Sequence, residues 1–127
     1  MLKIAIIGTT SWGITLGVLL ANKGQQVRLW ARSEQEAEKL RNNGPDSSER
    51  ALPPKLSITS SLKEAMDAVR AVILAVPSQT MRQNVGIIAP YLSKSMLVIS
   101  AAKGLEIGSN KRMSQVIAEE INPHYRS

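Results

Sequence analysis

Residues 3–13 read KIAIIGTTSWG, and this stretch decides the fold. It begins with an apolar run typical of a strand that is covered on both faces of a parallel sheet. Gly8, Thr10 and Gly13 follow at the spacing of the dinucleotide fingerprint G-x-G-x-x-G. Gly8 permits a tight turn, and Gly13 lets the next helix pack close to the sheet. The first amides of that helix lack intrahelical partners, so together with the helix dipole they favour a pyrophosphate.

Thr10 occupies the position where the fingerprint normally has its middle glycine. A β-branched side chain there obstructs the approach of a pyrophosphate to the backbone, whereas its hydroxyl could donate to a phosphate. The sequence leaves both interpretations open. The alternative for the whole motif is an ordinary strand-to-helix turn. Its place within a βαβ unit of about 30 residues favours the phosphate loop.

Beyond this stretch, short apolar runs alternate with helical periods, as is typical of βαβ units around a parallel sheet. The predicted strands are residues 3–7, 26–30, 57–59, 71–76 and 96–100. The predicted helices are residues 12–23, 34–42, 61–68, 81–89 and 111–121. Right-handed crossovers give an α/β fold, a Rossmann-type doubly wound parallel sheet with strand order 3-2-1-4-5. We expect residues 1–127 to form one such domain.

Composition narrows the class of ligand. The net charge is +6, but the basic residues are dispersed and only 3% of residues are aromatic, so a small anionic ligand is favoured over nucleic acid. The absence of cysteine excludes disulfides and a Cys-ligated metal site, and no metal site is expected. No apolar run approaches the roughly 18 residues of a membrane span, and no signal peptide is recognisable. We expect a soluble, cytoplasmic protein without a membrane span.

The end of the second predicted strand bears on cofactor choice. An NAD-preferring site usually places an acid there for the ribose 2′-hydroxyl, but residues 29–33 read LWARS and contain no carboxylate. Arg32 suits a 2′-phosphate through charge-assisted hydrogen bonds. We therefore predict that NADP is preferred over NAD. The alternative is that Arg32 is a solvated surface arginine.

Further segments make the pattern specific. SWG at residues 11–13, LPPKL at 52–56, AVPSQ at 75–79 followed by Arg82, and AKGLE at 102–106 occur in that order. The succession resembles the bacterial NAD(P)H-dependent glycerol-3-phosphate dehydrogenase family, whose pattern runs G-x-G-x-W-G, L-P-x-x-L, A-V-P-S-Q and K-G-L/I-E. The resemblance covers nearly the whole chain and identifies it with the N-terminal, cofactor-binding domain of that family.

The resemblance implies reversible reduction of dihydroxyacetone phosphate by NAD(P)H to sn-glycerol 3-phosphate for phospholipid synthesis. It places Ser11 and Trp12 at the cofactor phosphates, Arg32 at the adenosine end, and the loop that begins at Pro77 on the nicotinamide side. The implied cofactor-binding residues are Gly8, Thr10, Ser11, Trp12, Gly13, Arg32, Pro77 and Lys103. Lys103 matches the family lysine that touches both cofactor and substrate, and it is the catalytic candidate.

Physical reasoning also supports Lys103, because it follows a predicted strand at the carboxyl edge of the sheet. An ammonium there could hold the substrate phosphate or polarise the carbonyl. The alternative is a surface lysine in a glycine turn.

The family's second, helical domain carries the general acid and base and most of the substrate pocket. We therefore expect this chain to be part of a longer enzyme that could be a homodimer, and to be inactive or nearly so alone. Two other functions stay open. One is the cofactor domain of a related reductase of the ketopantoate or 6-phosphogluconate type, which would lack AKGLE. The other is a stand-alone or degenerate nucleotide-binding module.

Overall fold

A computed structural model describes residues 2–43, 52–102 and 104–121 of the chain. The strands are β1 (Lys3–Ile7), β2 (Gln26–Trp30), β3 (Leu56–Thr59), β4 (Ala71–Leu74) and β5 (Leu97–Ser100). The helices are α1 (Ser11–Asn22), α2 (Glu34–Asn43), α3 (Leu62–Met66), α4 (Met81–Ile88) and α5 (Met113–Ile121). Short 3-10 segments, Ser78–Thr80 and Ala89–Tyr91, flank α4. In these described ranges, no helix is both long and apolar enough to cross a bilayer.

The strands form one parallel sheet in the order β3-β2-β1-β4-β5, which confirms the predicted Rossmann-type topology. Ile7 at the end of β1 pairs with Trp30 of β2 on one side and with Leu74 of β4 on the other. The strand order reverses between β1 and β4, so this is the topological switch point where open α/β sheets bind ligands. The loops that follow the strands therefore meet at one edge of the sheet.

The two faces of the sheet support separate cores, because successive strand residues point in opposite directions. Ala5 and Ile7 of β1 pack with α3, α4 and α5, whereas Ile4 and Ile6 pack with α1 and α2. Among the buried residues that the structure describes, Trp30 is the only aromatic one. Its indole N–H donates to the Ser60 carbonyl at 3.1 Å, so the polar end of the ring is satisfied.

Every predicted element is present with boundaries within two residues, and the larger differences have local causes. Helix α3 ends at Met66 because Ala68 adopts a left-handed backbone with φ of 58°. Arg28 donates to the carbonyl oxygens of Glu64 and Asp67 at 2.6 and 2.9 Å, which satisfies that short helix end. Strand β4 ends at Leu74, since the next carbonyl, of Ala75, accepts from a side chain of the β1–α1 loop.

Candidate functional site

The loop between β1 and α1 has a backbone that excludes side chains at both fingerprint glycines. Gly8 has φ of +122°, and a Cβ on it would lie 2.3 Å from the Ala75 carbonyl oxygen. A Cβ on Gly13 would lie 2.6 Å from the Gly8 carbonyl oxygen. Backbone atoms cannot move aside as the end of a side chain can. The structure thus gives a physical reason for glycine at these two positions, and a Cβ on Gly13 would also lie 3.1 Å from the Cβ of Ala75, just beyond β4.

Thr10 is the N-cap of α1, and its side chain is used within the protein. Its Oγ1 accepts from the Gly13 amide at 3.2 Å and donates to the Ala75 carbonyl at 3.0 Å. Its backbone is extended, with φ of −67° and ψ of 159°, so this position does not need a glycine conformation. The hydroxyl therefore ties the loop to the end of β4 in this structure and does not point to an anion.

The start of α1 keeps amides available for an anion. The Ile14 amide bonds to the Thr10 carbonyl and the Gly13 amide to the Thr10 hydroxyl. For Ser11 and Trp12, no acceptor among the described residues bonds to the amide. Helix α1 is 12 residues long and has no acidic side chain in its first turn to offset its dipole. This arrangement fits a phosphate or pyrophosphate group.

An open cleft adjoins this helix start. It has a volume of about 570 Å³ and is lined by Trp12, Ser100, Ala101 and Ala102. Trp12 is 53% exposed, although a large apolar ring is normally covered. The cleft joins the first turn of α1 to the carboxyl end of β5, and its volume lies in the range of small-molecule sites.

Arg32 lies two residues beyond β2, and its guanidinium is held from across the sheet. Its Nη2 donates to Asn84 Oδ1 at 3.2 Å, and Asn84 Nδ2 donates to the Thr80 carbonyl at 2.9 Å. Asn84 is buried on α4 beside Met81 and Val85. Asn84 was not among the residues predicted from the sequence. The available signal was a polar residue on the stripe formed by positions 81, 84, 85 and 88, which share one helical face.

A carboxylate also lies against the fingerprint loop, and it comes from α2. Glu36 accepts a hydrogen bond from the Thr9 hydroxyl. Glu34, the nearest acid to the end of β2 in sequence, is held elsewhere by Ser60 and Arg41 at 2.7 and 2.8 Å, which lowers its pKa. The sequence around the end of β2 contains no carboxylate and therefore gave no indication that Glu36 lies against the fingerprint loop.

The segment after β4 is hydrogen-bonded to the segment after β5. Pro77 is exposed, and its carbonyl accepts from both the amide and the hydroxyl of Thr80 at 2.9 Å. Gln79 Nε2 donates to the Leu105 carbonyl at 3.0 Å, and its Oε1 accepts from the Ile107 amide at 2.9 Å. One side chain thus holds the backbone at two points, one within the AKGLE segment and one just after it.

Arg82 adds a bidentate ion pair with Glu106, called the fork below, to this contact between the two segments. Its Nε and Nη2 donate to the two carboxylate oxygens of Glu106, each at 2.9 Å. The Arg82 guanidinium, followed by the Ser109 hydroxyl, lowers the pKa of Glu106 to about 2. Arg82 Nη1 also donates to Glu119 and Glu120 at 3.1 and 3.0 Å. Gln79 and Arg82 belong to the family motif, but the motif did not predict that they contact residues 105–107.

Lys103, the catalytic candidate, lies outside the described residues. Its described neighbours are Ala102, which lines the cleft, and Gly104. The fingerprint loop, Arg32 and Pro77 all follow parallel strands of the sheet at their carboxyl ends. Within the described residues, no group of three or more His, Asp or Glu side chains is placed to hold a metal ion.

Comparison with known proteins gives consistent matches. Residues 3–126 match the family model described as NAD-dependent glycerol-3-phosphate dehydrogenase N-terminus. The glycerol-3-phosphate dehydrogenase (NAD(P)+) of Dehalococcoides mccartyi is 52% identical over 98% of this chain, and that of Shouchella clausii is 40% identical over 94%. The crystal structure of glycerol-3-phosphate dehydrogenase from Coxiella burnetii aligns with a TM-score of 0.85 at 28% identity, covering 94% of this chain and 38% of that one. This chain spans about 36% of the length of both curated relatives.

Proposed function

The chain belongs to the family of NAD-dependent glycerol-3-phosphate dehydrogenase N-terminal domains, and we propose that residues 1–127 hold NAD(P)H in such an enzyme. One observation carries the proposal. The start of α1 offers the amides of Ser11 and Trp12 at the switch point of the sheet, in a loop whose glycines leave no room for a side chain. That combination fits a pyrophosphate, and the adjoining cleft extends towards β5.

The proposed reaction of the whole enzyme is the reversible reduction of dihydroxyacetone phosphate to sn-glycerol 3-phosphate. When bound, the nicotinamide supplies or accepts the hydride. In this proposal Ser11 and Trp12 bind the pyrophosphate, and the loop of Pro77 borders the nicotinamide. Thr10 contributes by fixing the loop, and Lys103 holds the substrate phosphate or polarises its carbonyl. The role of Lys103 is supported by its place in the AKGLE motif.

Calorimetric titration with NADPH and NADH tests the nucleotide site. The chain should bind both saturably, and Gly13→Ala should abolish binding because its Cβ would meet backbone at 2.6 Å. Gly86→Ala is the matched control, since a Cβ on Gly86 would meet only the end of the Glu120 side chain, at 3.4 Å. It should leave both affinities unchanged. Failure of the chain to bind either nucleotide at millimolar concentration would refute the proposal and favour a degenerate module.

We also propose that NADP is preferred and NAD accepted, because Arg32 follows the carboxyl end of β2, where the family resemblance implies the adenosine end of the cofactor. Arg32→Ala should weaken NADPH binding about 10- to 100-fold, since hydrogen bonds between charged groups contribute about 1.5–3 kcal/mol. NADH binding should change less than about twofold, because NADH lacks the 2′-phosphate. Lys39→Ala removes the same charge from an exposed position on α2 and should leave both affinities unchanged. An unchanged ratio of the two affinities in Arg32→Ala would contradict the preference.

The remaining proposals rest on the family resemblance. They are a cytoplasmic location, a supply of glycerol 3-phosphate for phospholipid synthesis, and a homodimer formed by the longer enzyme. The match of residues 3–126 to the glycerol-3-phosphate dehydrogenase family argues against the alternative of a ketopantoate or 6-phosphogluconate type reductase.

A further inference from the structure

Asn84 is the most deeply buried polar side chain that the structure describes, with 1% of its surface exposed. Its neighbours on the same face of α4 are Met81, Val85 and Ile88, all fully buried. An amide in such surroundings loses its contacts with water and needs hydrogen bonds in return. A leucine would pack there without that requirement, so the asparagine calls for an explanation.

The side-chain amide of Asn84 makes two hydrogen bonds that meet this requirement, one within α4 and one to Arg32. Its Nδ2 donates to the Thr80 carbonyl at 2.9 Å, one helical turn earlier, which fixes the plane of the amide. Its Oδ1 then accepts from Arg32 Nη2 at 3.2 Å, although the two residues are 52 positions apart. The bond joins the segment after β2 to the helix after β4, two strands away in the sheet. Asn84 therefore fixes one edge of the Arg32 guanidinium.

The acceptor that holds Arg32 is neutral, and this decides what the guanidinium can still bind. Among the described residues, no carboxylate lies within 4.0 Å of Arg32, whereas Arg41 and Arg82 are both paired with acids. An aspartate at position 84 would keep an acceptor for Arg32, but it would lose the donor to the Thr80 carbonyl and would neutralise the charge of Arg32. An asparagine leaves the full positive charge for an anion, and the remaining edge of the planar fork suits a phosphate.

We propose that Asn84 is a positioning residue that holds the Arg32 guanidinium ready for the 2′-phosphate of NADPH and keeps its charge available. This inference rests on the proposed role of Arg32 in cofactor preference. Holding the side chain in advance reduces the conformational freedom that it loses when the nucleotide binds. Asn84 thereby raises the affinity for NADPH, the nucleotide with a 2′-phosphate, without contacting it.

Adenosine 2′,5′-bisphosphate and AMP are the appropriate probes, because they differ only in the 2′-phosphate and engage only the adenosine end. Their affinities would be measured by calorimetry for the 127-residue chain and its variants. The wild-type chain should bind the bisphosphate at least about tenfold more tightly than AMP, and Arg32→Ala should remove most of this ratio. The measured quantity is the ratio of the two affinities, since a loss of fold stability would weaken the binding of both ligands together.

Two variants of Asn84 separate positioning from charge. Asn84→Leu removes the acceptor and should lower the ratio about 2- to 10-fold, which corresponds to the cost of immobilising one side chain. Asn84→Asp keeps the size and the acceptor but neutralises Arg32, and it should lower the ratio at least about tenfold. Val85→Ala, next to it in the same core, should lower the melting temperature and leave the ratio unchanged.

The outcomes distinguish this inference from the proposed function. If Arg32→Ala lowers the ratio and neither Asn84 variant does, Arg32 keeps its role and the positioning role of Asn84 is overturned. If the wild-type ratio is near one, or does not depend on Arg32, then both the cofactor preference and this inference are wrong. Should Asn84→Leu fail to fold, Asn84→Ala takes its place, because it removes the same acceptor without adding bulk to the core and should lower the ratio by the same 2- to 10-fold, about the cost of immobilising one side chain.

Discussion

Thr10→Val removes one hydroxyl and almost nothing else, so it tests how the β1–α1 loop is held. Valine keeps the β-branch and nearly the volume of threonine. It loses the acceptor for the Gly13 amide and the donor to the Ala75 carbonyl. Loss of an N-cap side chain costs about 0.5–2 kcal/mol, and a further hydrogen bond contributes about 0.5–1.5 kcal/mol. The free energy of unfolding should therefore fall by about 1–3 kcal/mol.

Urea unfolding measures this change, with the fluorescence of the two tryptophans, of which Trp30 is buried, and the far-ultraviolet circular dichroism as two independent probes. Thr10→Ser is the matched control, because serine retains the hydroxyl and is an equally good N-cap. Its free energy of unfolding should stay within about 0.5 kcal/mol of wild type, in the range of substitutions that break no specific interaction. If Thr10→Val were as stable as the serine variant, the hydroxyl would not be a structural cap.

Thr10→Gly extends the same test to nucleotide binding. Glycine restores the usual middle residue of the fingerprint, and as an N-cap it costs only a few tenths of a kcal/mol relative to threonine. Because both hydrogen bonds of the Thr10 hydroxyl are internal, its loss removes no donor to the nucleotide. The glycine variant loses only this hold on the loop, so its NADPH affinity in calorimetry should stay within about tenfold of wild type. A loss of affinity greater than about tenfold would assign the hydroxyl to the phosphate instead.

Two further predictions concern carboxylates. Glu36→Gln removes the negative charge beside Thr9 and should raise NADPH affinity about fivefold, which corresponds to about 1 kcal/mol of repulsion. The control Glu38→Gln changes an exposed residue and should leave the affinity unchanged. A lower NADPH affinity of Glu36→Gln in calorimetry would contradict this prediction. The pKa of Glu106 is about 2 in the folded chain against an ordinary 4.5, so its pairing with Arg82 stabilises the fold above about pH 4.5 and that stabilisation is lost as pH falls towards 2. The urea midpoint of Glu106→Gln should therefore fall less than that of wild type between pH 6 and 3, and parallel curves would show that the pair does not contribute.

The sequence was sufficient for the strand order because the signals for it are local. The run at residues 71–76 is wholly apolar, as a strand with neighbours on both sides requires, and β4 indeed lies between β1 and β5 with all four residues buried. Gly8 and Gly13 were recognisable from their spacing, because the φ of +122° at Gly8 and the contact of Gly13 with the Gly8 carbonyl arise within the loop; the clash of a Gly8 Cβ with the Ala75 carbonyl was not predictable in that way. Crossover handedness, together with the fingerprint loop after the first strand, then favoured the order 3-2-1-4-5.

The side-chain contacts of the site could not be predicted in this way. The Thr10 hydroxyl meets a carbonyl 65 residues away, and the Arg32 guanidinium meets an amide 52 residues away. Each contact depends on the precise angle at which a helix leaves the sheet, which spacing along the chain does not encode. Glu36 illustrates the difficulty, because the sequence shows no carboxylate at the end of β2, whereas this one in the first turn of α2 reaches the Thr9 hydroxyl.

The fork between Arg82 and Glu106 also has an evolutionary consequence. Exchange of Arg82 strands the partly buried carboxylate of Glu106, and exchange of Glu106 leaves Nε and Nη2 of Arg82 without their partner. Lysine cannot reproduce the two parallel bonds of the guanidinium. Glu119 and Glu120 share one nitrogen of Arg82, so the loss of either leaves the other in place. Among descendants of a common ancestor, positions 82 and 106 should therefore be replaced together or not at all. Positions 119 and 120 should drift independently, at the pace of ordinary surface residues.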